Sequence, residues 1–126
     1  MRKRALAAAV LLCLIAVDAE ARPRHHRHHA GAPGRPASCY GIPWCGCWLR
    51  VRYSMPDTRL NKASEWGRLG TAANVCRVGQ VAVWPHHVGE VTECLGGGMI
   101  RMISGNDSGA VRDRIRPLGR GRLRDL

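Results

Sequence analysis

The chain has 126 residues, with 20 Lys or Arg against 9 Asp or Glu and a net charge of +11. That length holds one domain and excludes a multidomain enzyme, a transmembrane transporter or a full dinucleotide-binding sheet. A hydrophobic content of 45% is too high for a wholly disordered chain.

Met1–Arg4 is a short basic head, and Ala5–Val17 is an apolar run of thirteen residues. Ala19 and Ala21 place small residues where a signal peptidase reads them, so residues 1–21 are expected to be a secretory signal peptide. As a helix the apolar run would rise about 20 Å, short of a hydrocarbon core of about 30 Å. No integral membrane segment is therefore expected after cleavage, and the protein is expected to be secreted or periplasmic. Cleavage takes Cys13 with it and leaves Cys39, Cys45, Cys47, Cys76 and Cys94. An odd number in an oxidising compartment leaves at least one thiol free or shared between molecules.

Residues 22–38 carry four His and three Pro and no aliphatic side chain larger than Ala. Nothing there can offset the entropy of ordering, so the segment reads as a disordered basic linker. Its histidines could catch a transition metal; the plainer reading is a solvated spacer. The rest of the chain calls for no cofactor. Residues 39–126 must then form the folded domain, a marginal size that a disulfide would help.

Pro43 precedes a run in which Trp44, Cys47, Trp48, Val51 and Met55 recur at gaps of three and four. That spacing predicts a helix that stops before Pro56. Asn61–Trp66 reads as a second short helix, capped by Asn61 and ended by Gly67 and Gly70. Thr71–Arg77 reads as loop. Gln80–Trp84, Val88–Cys94, Met99–Ile103 and Val111–Arg116 read as strands, with Gly96–Gly98 and Ser104–Gly109 as turns. The expected class is α+β: an N-terminal helix packed on an antiparallel sheet of about four strands.

Cys94 ends a strand and Cys76 lies in the loop feeding the strand before it, so these two are expected to bridge. Cys39–Cys47 is the second expected bridge, tying the linker to the first helix. Cys45 and Cys47 are too close, and point too differently along a helix, to bridge each other. Both bridges together leave Cys45 as the odd thiol.

Cys45 stands at the predicted helix start, where a thiolate is favoured, and a nearby imidazolium would favour it further. His86 and His87 sit at the start of a strand, and Asn106 and Asp107 lie in a later turn. Either of the latter could hold the outer nitrogen of the histidine and fix its tautomer. Taken by residue type alone, Cys45 and Cys47 could equally be a disulfide or metal pair, and His86 and His87 a solvated loop.

Pro43-Trp44-Cys45, Gly79-Gln80-Val81-Ala82-Val83-Trp84, His87-Val88-Gly89 and Ser104-Gly105-Asn106, in that order, resemble the CHAP family. That family belongs to the wider NlpC/P60 and papain-like group of peptidoglycan amidases and endopeptidases. The resemblance spans about residues 40–116 and implies a small papain-like domain. It implies Cys45 as nucleophile, His87 as base and Asn106, or else Asp107, as the residue orienting the base. Trp44 and Trp84 would line the substrate cleft, with Asp107 beside them. The implied activity is a secreted cysteine hydrolase acting on peptidoglycan. The alternative is an inactive relative that binds the envelope or cell wall without cutting it.

The positive charge fits attraction to peptidoglycan or another anionic envelope polymer, since an exported chain without a nucleic-acid motif is not expected to meet nucleic acid. Arg112, Arg114 and Arg116 alternate and should form one basic strip along the final strand. The sequence leaves the oligomeric state open.

Overall fold

The computed structural model describes residues 34–126. The signal-peptide reading and most of the linker, including its four histidines, lie outside the described residues. The packed structure reaches back into the last linker residues. Arg35 donates to the carbonyls of Cys39 and Ile42, and its guanidinium lies over the rings of Tyr40 and Trp44.

Helix α1 spans Cys45–Arg52. Its first five residues, Cys45–Leu49, are all buried, so its N-terminal half is a core element rather than an amphipathic surface helix. It ends earlier than the apolar spacing predicts. Ser54 takes a left-handed φ of 52°, and the Met55 N–H reaches back to the Arg50 carbonyl at 2.9 Å, closing the last turn. Val51, expected on the core face, is 40% exposed. Gly46 is required by close approach: a Cβ there would run into the backbone carbonyls of Leu60 and Asn61.

The second predicted helix is instead two short 3-10 segments, Thr58–Asn61 and Ala63–Arg68. Asp57, not Asn61, supplies the cap, accepting from the Arg59 N–H at 2.9 Å. The Asn61 side chain accepts from Arg50 Nε at 2.8 Å and so ties this layer to α1. Trp66 is fully buried beneath it and donates to the Leu60 carbonyl at 2.7 Å.

Six strands follow: β1 Thr71–Ala73, β2 Val81–Val83, β3 Val88–Gly96, β4 Met99–Asp107, β5 Ala110–Pro117 and β6 Arg122–Asp125. They form one antiparallel sheet in the order β1-β6-β2-β3-β4-β5. The α+β class stands, and the expected count of about four strands is corrected to six. β1 occupies the start of the expected loop at 71–77. β6 pairs β1 on one side and β2 on the other, which extends the sheet beyond the β2–β5 meander. β4 runs four residues past Ile103, through most of the expected turn, and irregular pairing with β5 lies between Ser104 and Asp107.

The sheet has a core on each face. Trp44, Trp48, Leu49 and Trp66 pack with Val81, Val83 and Val88 on the α1 side. Ala82, Val91, Ile100, Met102 and Leu123 form a smaller core on the other side, flanked by Trp84 and Leu118. Strand alternation divides neighbours such as Val81 and Ala82 between the two. Glu90 on β3 is held by Arg52 Nε at 2.8 Å and by the Tyr53 hydroxyl at 3.0 Å, which pins the end of α1 to the sheet.

Both expected disulfides are present, Cys39–Cys47 and Cys76–Cys94, with Cα separations of 5.8 and 5.9 Å. Two bridges belong to an oxidising, non-cytoplasmic compartment. No helix among the described residues is long and apolar enough to cross a membrane.

Candidate active site

Cys45 is the one unbridged cysteine among the described residues. It opens α1, where the first N–H groups of the helix have no intrahelical acceptor. The residue is 3% exposed, and Sγ lies 3.7 Å from the His86 carbonyl. The Val88 N–H also reaches the sulfur. The thiol therefore rests against the backbone on both sides of His87. The turn Pro85-His86 brings this about, closing β2 onto β3 with the Trp84 N–H bonded to the His87 carbonyl at 2.8 Å.

His87 is half-buried, and its Nε2 lies 2.9 Å from Ser104 Oγ. Ser104 is fully buried on β4. The Trp84 ring lies 6.4 Å from the imidazole and is anchored by its own N–H to the Leu118 carbonyl at 3.0 Å. Ser104 was not among the site residues expected from sequence. The sequence pattern ends that strand at Ile103, whereas β4 continues to Asp107, and a buried serine on a strand carries no local signal of its own.

The other expected site residues fall elsewhere. No hydrogen bond joins Asn106 or Asp107 to the His87 ring among the described residues. Asn106 has a left-handed φ of 56°, a conformation Asn tolerates better than most residues, at the irregularity of β4. Asp107 is engaged by Arg116 at 2.7 Å and Arg114 at 3.5 Å. Trp44 is buried against Gly105 and beneath Arg35, in the core rather than on an open cleft wall. Trp84 is the tryptophan beside the imidazole.

A groove of about 690 Å³ is bordered by Ile42, Pro43, Asn61, Lys62, Pro85 and His86. Cys45 and His87 are not on its walls, but Pro43, two residues before Cys45, and His86, next to His87, are. Among the described residues no three His, Cys, Asp or Glu side chains gather as a metal site.

Burial pushes the Cys45 thiol above its ordinary range, although the N–H groups of Gly46 and Val88 pull the other way. Burial and, next, the charge of Arg116 push His87 below its ordinary range, with Asp107 partly opposing. Both shifts favour the neutral form of each group, a thiol at Cys45 and an imidazole at His87, and no hydrogen bond joins the two side chains among the described residues. Iodoacetamide should therefore label Cys45 more slowly at neutral pH than it labels a free cysteine. The labelling rate should keep climbing with pH beyond the ordinary thiol midpoint of about 8.5. Rapid labelling at pH 6 would show a preformed ion pair instead.

No family model, no curated protein and no solved structure matches the chain.

Proposed function

We propose that the protein is a secreted cysteine hydrolase that cleaves an amide bond of peptidoglycan. The observation that carries this reading is the placement of one unbridged thiol at a helix N-terminus against the backbone flanking a serine-held histidine. The sequence resemblance to CHAP domains points the same way. Charge attraction between the basic chain and anionic wall polymers would concentrate it on its substrate.

In this mechanism the Cys45 sulfur attacks the carbonyl carbon as its proton passes to His87. Nε2 is occupied by Ser104, so Nδ1 is the nitrogen that accepts the proton, and Nε2–H must then donate to Ser104 Oγ. Ser104 takes the orienting role that the resemblance gives to Asn106. The backbone N–H of Cys45, at the helix start, faces the developing oxyanion. The C–N bond breaks as His87 returns its proton to the leaving amine, leaving a thioester. Water then cleaves the thioester, releases the acid and restores the thiol. A carbonyl would reach the sulfur from the groove that Pro43 and His86 border.

Purified sacculi incubated with the protein under mild reductant should release soluble muropeptides, and the Cys45→Ala variant should release none. Equal release by both proteins would end this mechanism. The closed position of the thiol favours a second reading, a wall-binding module that does not cut. Wall binding by both proteins with no release by either would establish it.

A further inference from the structure

Arg112, Arg114 and Arg116 alternate along β5, so all three project from one face of the strand. β5 is an edge strand rather than the final one, and the register partners of these residues on β4 are Ser104, Met102 and Ile100. Ser104 is the residue that holds His87, so the strip starts one strand away from the imidazole.

The three guanidiniums do not form a solvated row. They converge on one residue. Arg116 Nη2 donates to Asp107 Oδ2 at 2.7 Å, Arg114 Nε lies 3.5 Å from the same oxygen, and Arg112 Nε donates to the Asp107 main-chain carbonyl at 3.1 Å. Asp113, the acid on the same strand, falls between them in the alternation, and its carboxylate accepts from Thr92 instead. The Asp107 carboxylate thus faces two guanidiniums, with the third on its main-chain carbonyl. Arg116 Nε is buried and finds no acceptor among the described residues, a state that leaves the desolvation of a charged donor uncompensated.

We propose that this cluster is the subsite for a carboxylate group of the substrate, placing an acidic peptide beside His87. The proposal rests on the hydrolase reading above. Asp107 demonstrates that the cluster accommodates a carboxylate, and guanidinium forks match that group in two-point geometry. Two of the three positive charges are left without a counter-charge, and Arg114 is 44% exposed and open to an incoming ligand. The charge of Arg116 also weakens His87 as a base. A carboxylate held at the cluster offsets that charge, so substrate binding would strengthen the base when it is needed.

The test uses the Cys45→Ala protein, which binds without turnover, and calorimetry with two probes. One is a peptidoglycan stem tripeptide with free carboxylates, the other the same peptide fully amidated. The free form should bind about tenfold or more tightly, the worth of one charge-assisted hydrogen bond. That preference should vanish in Arg112→Gln/Arg114→Gln, which leaves the Arg116–Asp107 pair intact and whose fold is checked by circular dichroism. Equal affinities, a preference that survives the double substitution, or no binding of either peptide overturns the proposal. Hydrolysis is read separately with Cys45 in place. Cleavage of both peptides at equal rates would sink the subsite and leave the hydrolase, whereas a binding preference without cleavage would do the reverse.

Discussion

His87→Ala should lower the rate of wall hydrolysis by about 10²–10⁴-fold, the usual worth of a positioned general base. The size of the effect follows from the neutral resting state of the thiol. Burial favours the neutral Cys45 thiol, and in the proposed mechanism His87 removes its proton as it attacks. Ser104→Ala should cost less, because it frees the imidazole to turn without removing it. The pH profile of kcat/KM should carry the matching signature. Burial and Arg116 lower the proton affinity of His87, so the acid limb should lie below the ordinary histidine value of about 6.5. An unchanged rate in His87→Ala, measured on purified sacculi, would remove the histidine from the mechanism.

Loss of the Cys76–Cys94 bridge should cost about 3 kcal/mol of stability, measured by urea unfolding of the Cys76→Ala/Cys94→Ala variant. The bridge closes a sequence separation of 18, and its release returns that loop entropy to the unfolded chain. Cys94 is exposed, so little packing is lost at that end, and the effect is carried by the unfolded state. A loss below about 1 kcal/mol would show that the loop at 74–79 is held by other means. The strongest of these is Gln80, whose amide donates to the Val75 carbonyl at 3.1 Å and to Asp125 at 2.9 Å.

The start of α1 was legible because Pro43 and the spacing of Trp44, Cys47 and Trp48 coincide, and both bridges were legible because Cys76 and Cys94 flank neighbouring strands while Cys45 and Cys47 are too close along a helix to bridge each other. β2 and β3 could be read from their β-branched residues. β1 and β6 could not. Thr71–Ala73 has no large apolar side chain, and in Arg122–Asp125 only Leu123 is buried. Their identity as strands comes from pairing across about fifty residues of sequence, which local pattern does not record. Asn61–Trp66 reads as helix from a cap residue and terminal glycines, signals that do not tell an α-helix from the shorter 3-10 segments at 58–61 and 63–68.

The site divides in the same way. Residue type alone leaves Cys45 beside Cys47 and His87 beside His86 as open choices, which the resemblance to CHAP domains narrows to Cys45 and His87, and the fold brings the thiol to the backbone on either side of the histidine. Asn106 looked like a catalytic partner because its side chain suits that role, but its left-handed backbone gives it a separate structural reason to be there. Ser104 was hidden because the polar letters after Ile103 resemble a turn, whereas β4 continues through them. The arginine strip was visible as alternation. Its convergence on Asp107 depends on the irregular pairing between Ser104 and Asp107, a feature of register rather than of sequence pattern.

The most direct measurement of the central claim is the mass of the peptide carrying Cys45 after rapid acid quenching of the protein with soluble wall fragments. Acid preserves a thioester while stopping its hydrolysis. The expected result is a Cys45 peptide heavier by the acyl portion of the substrate, an adduct that disappears on treatment with hydroxylamine. Products that accumulate while Cys45 stays unmodified, or fragments left uncut and Cys45 unmodified throughout, would contradict a Cys45 nucleophile.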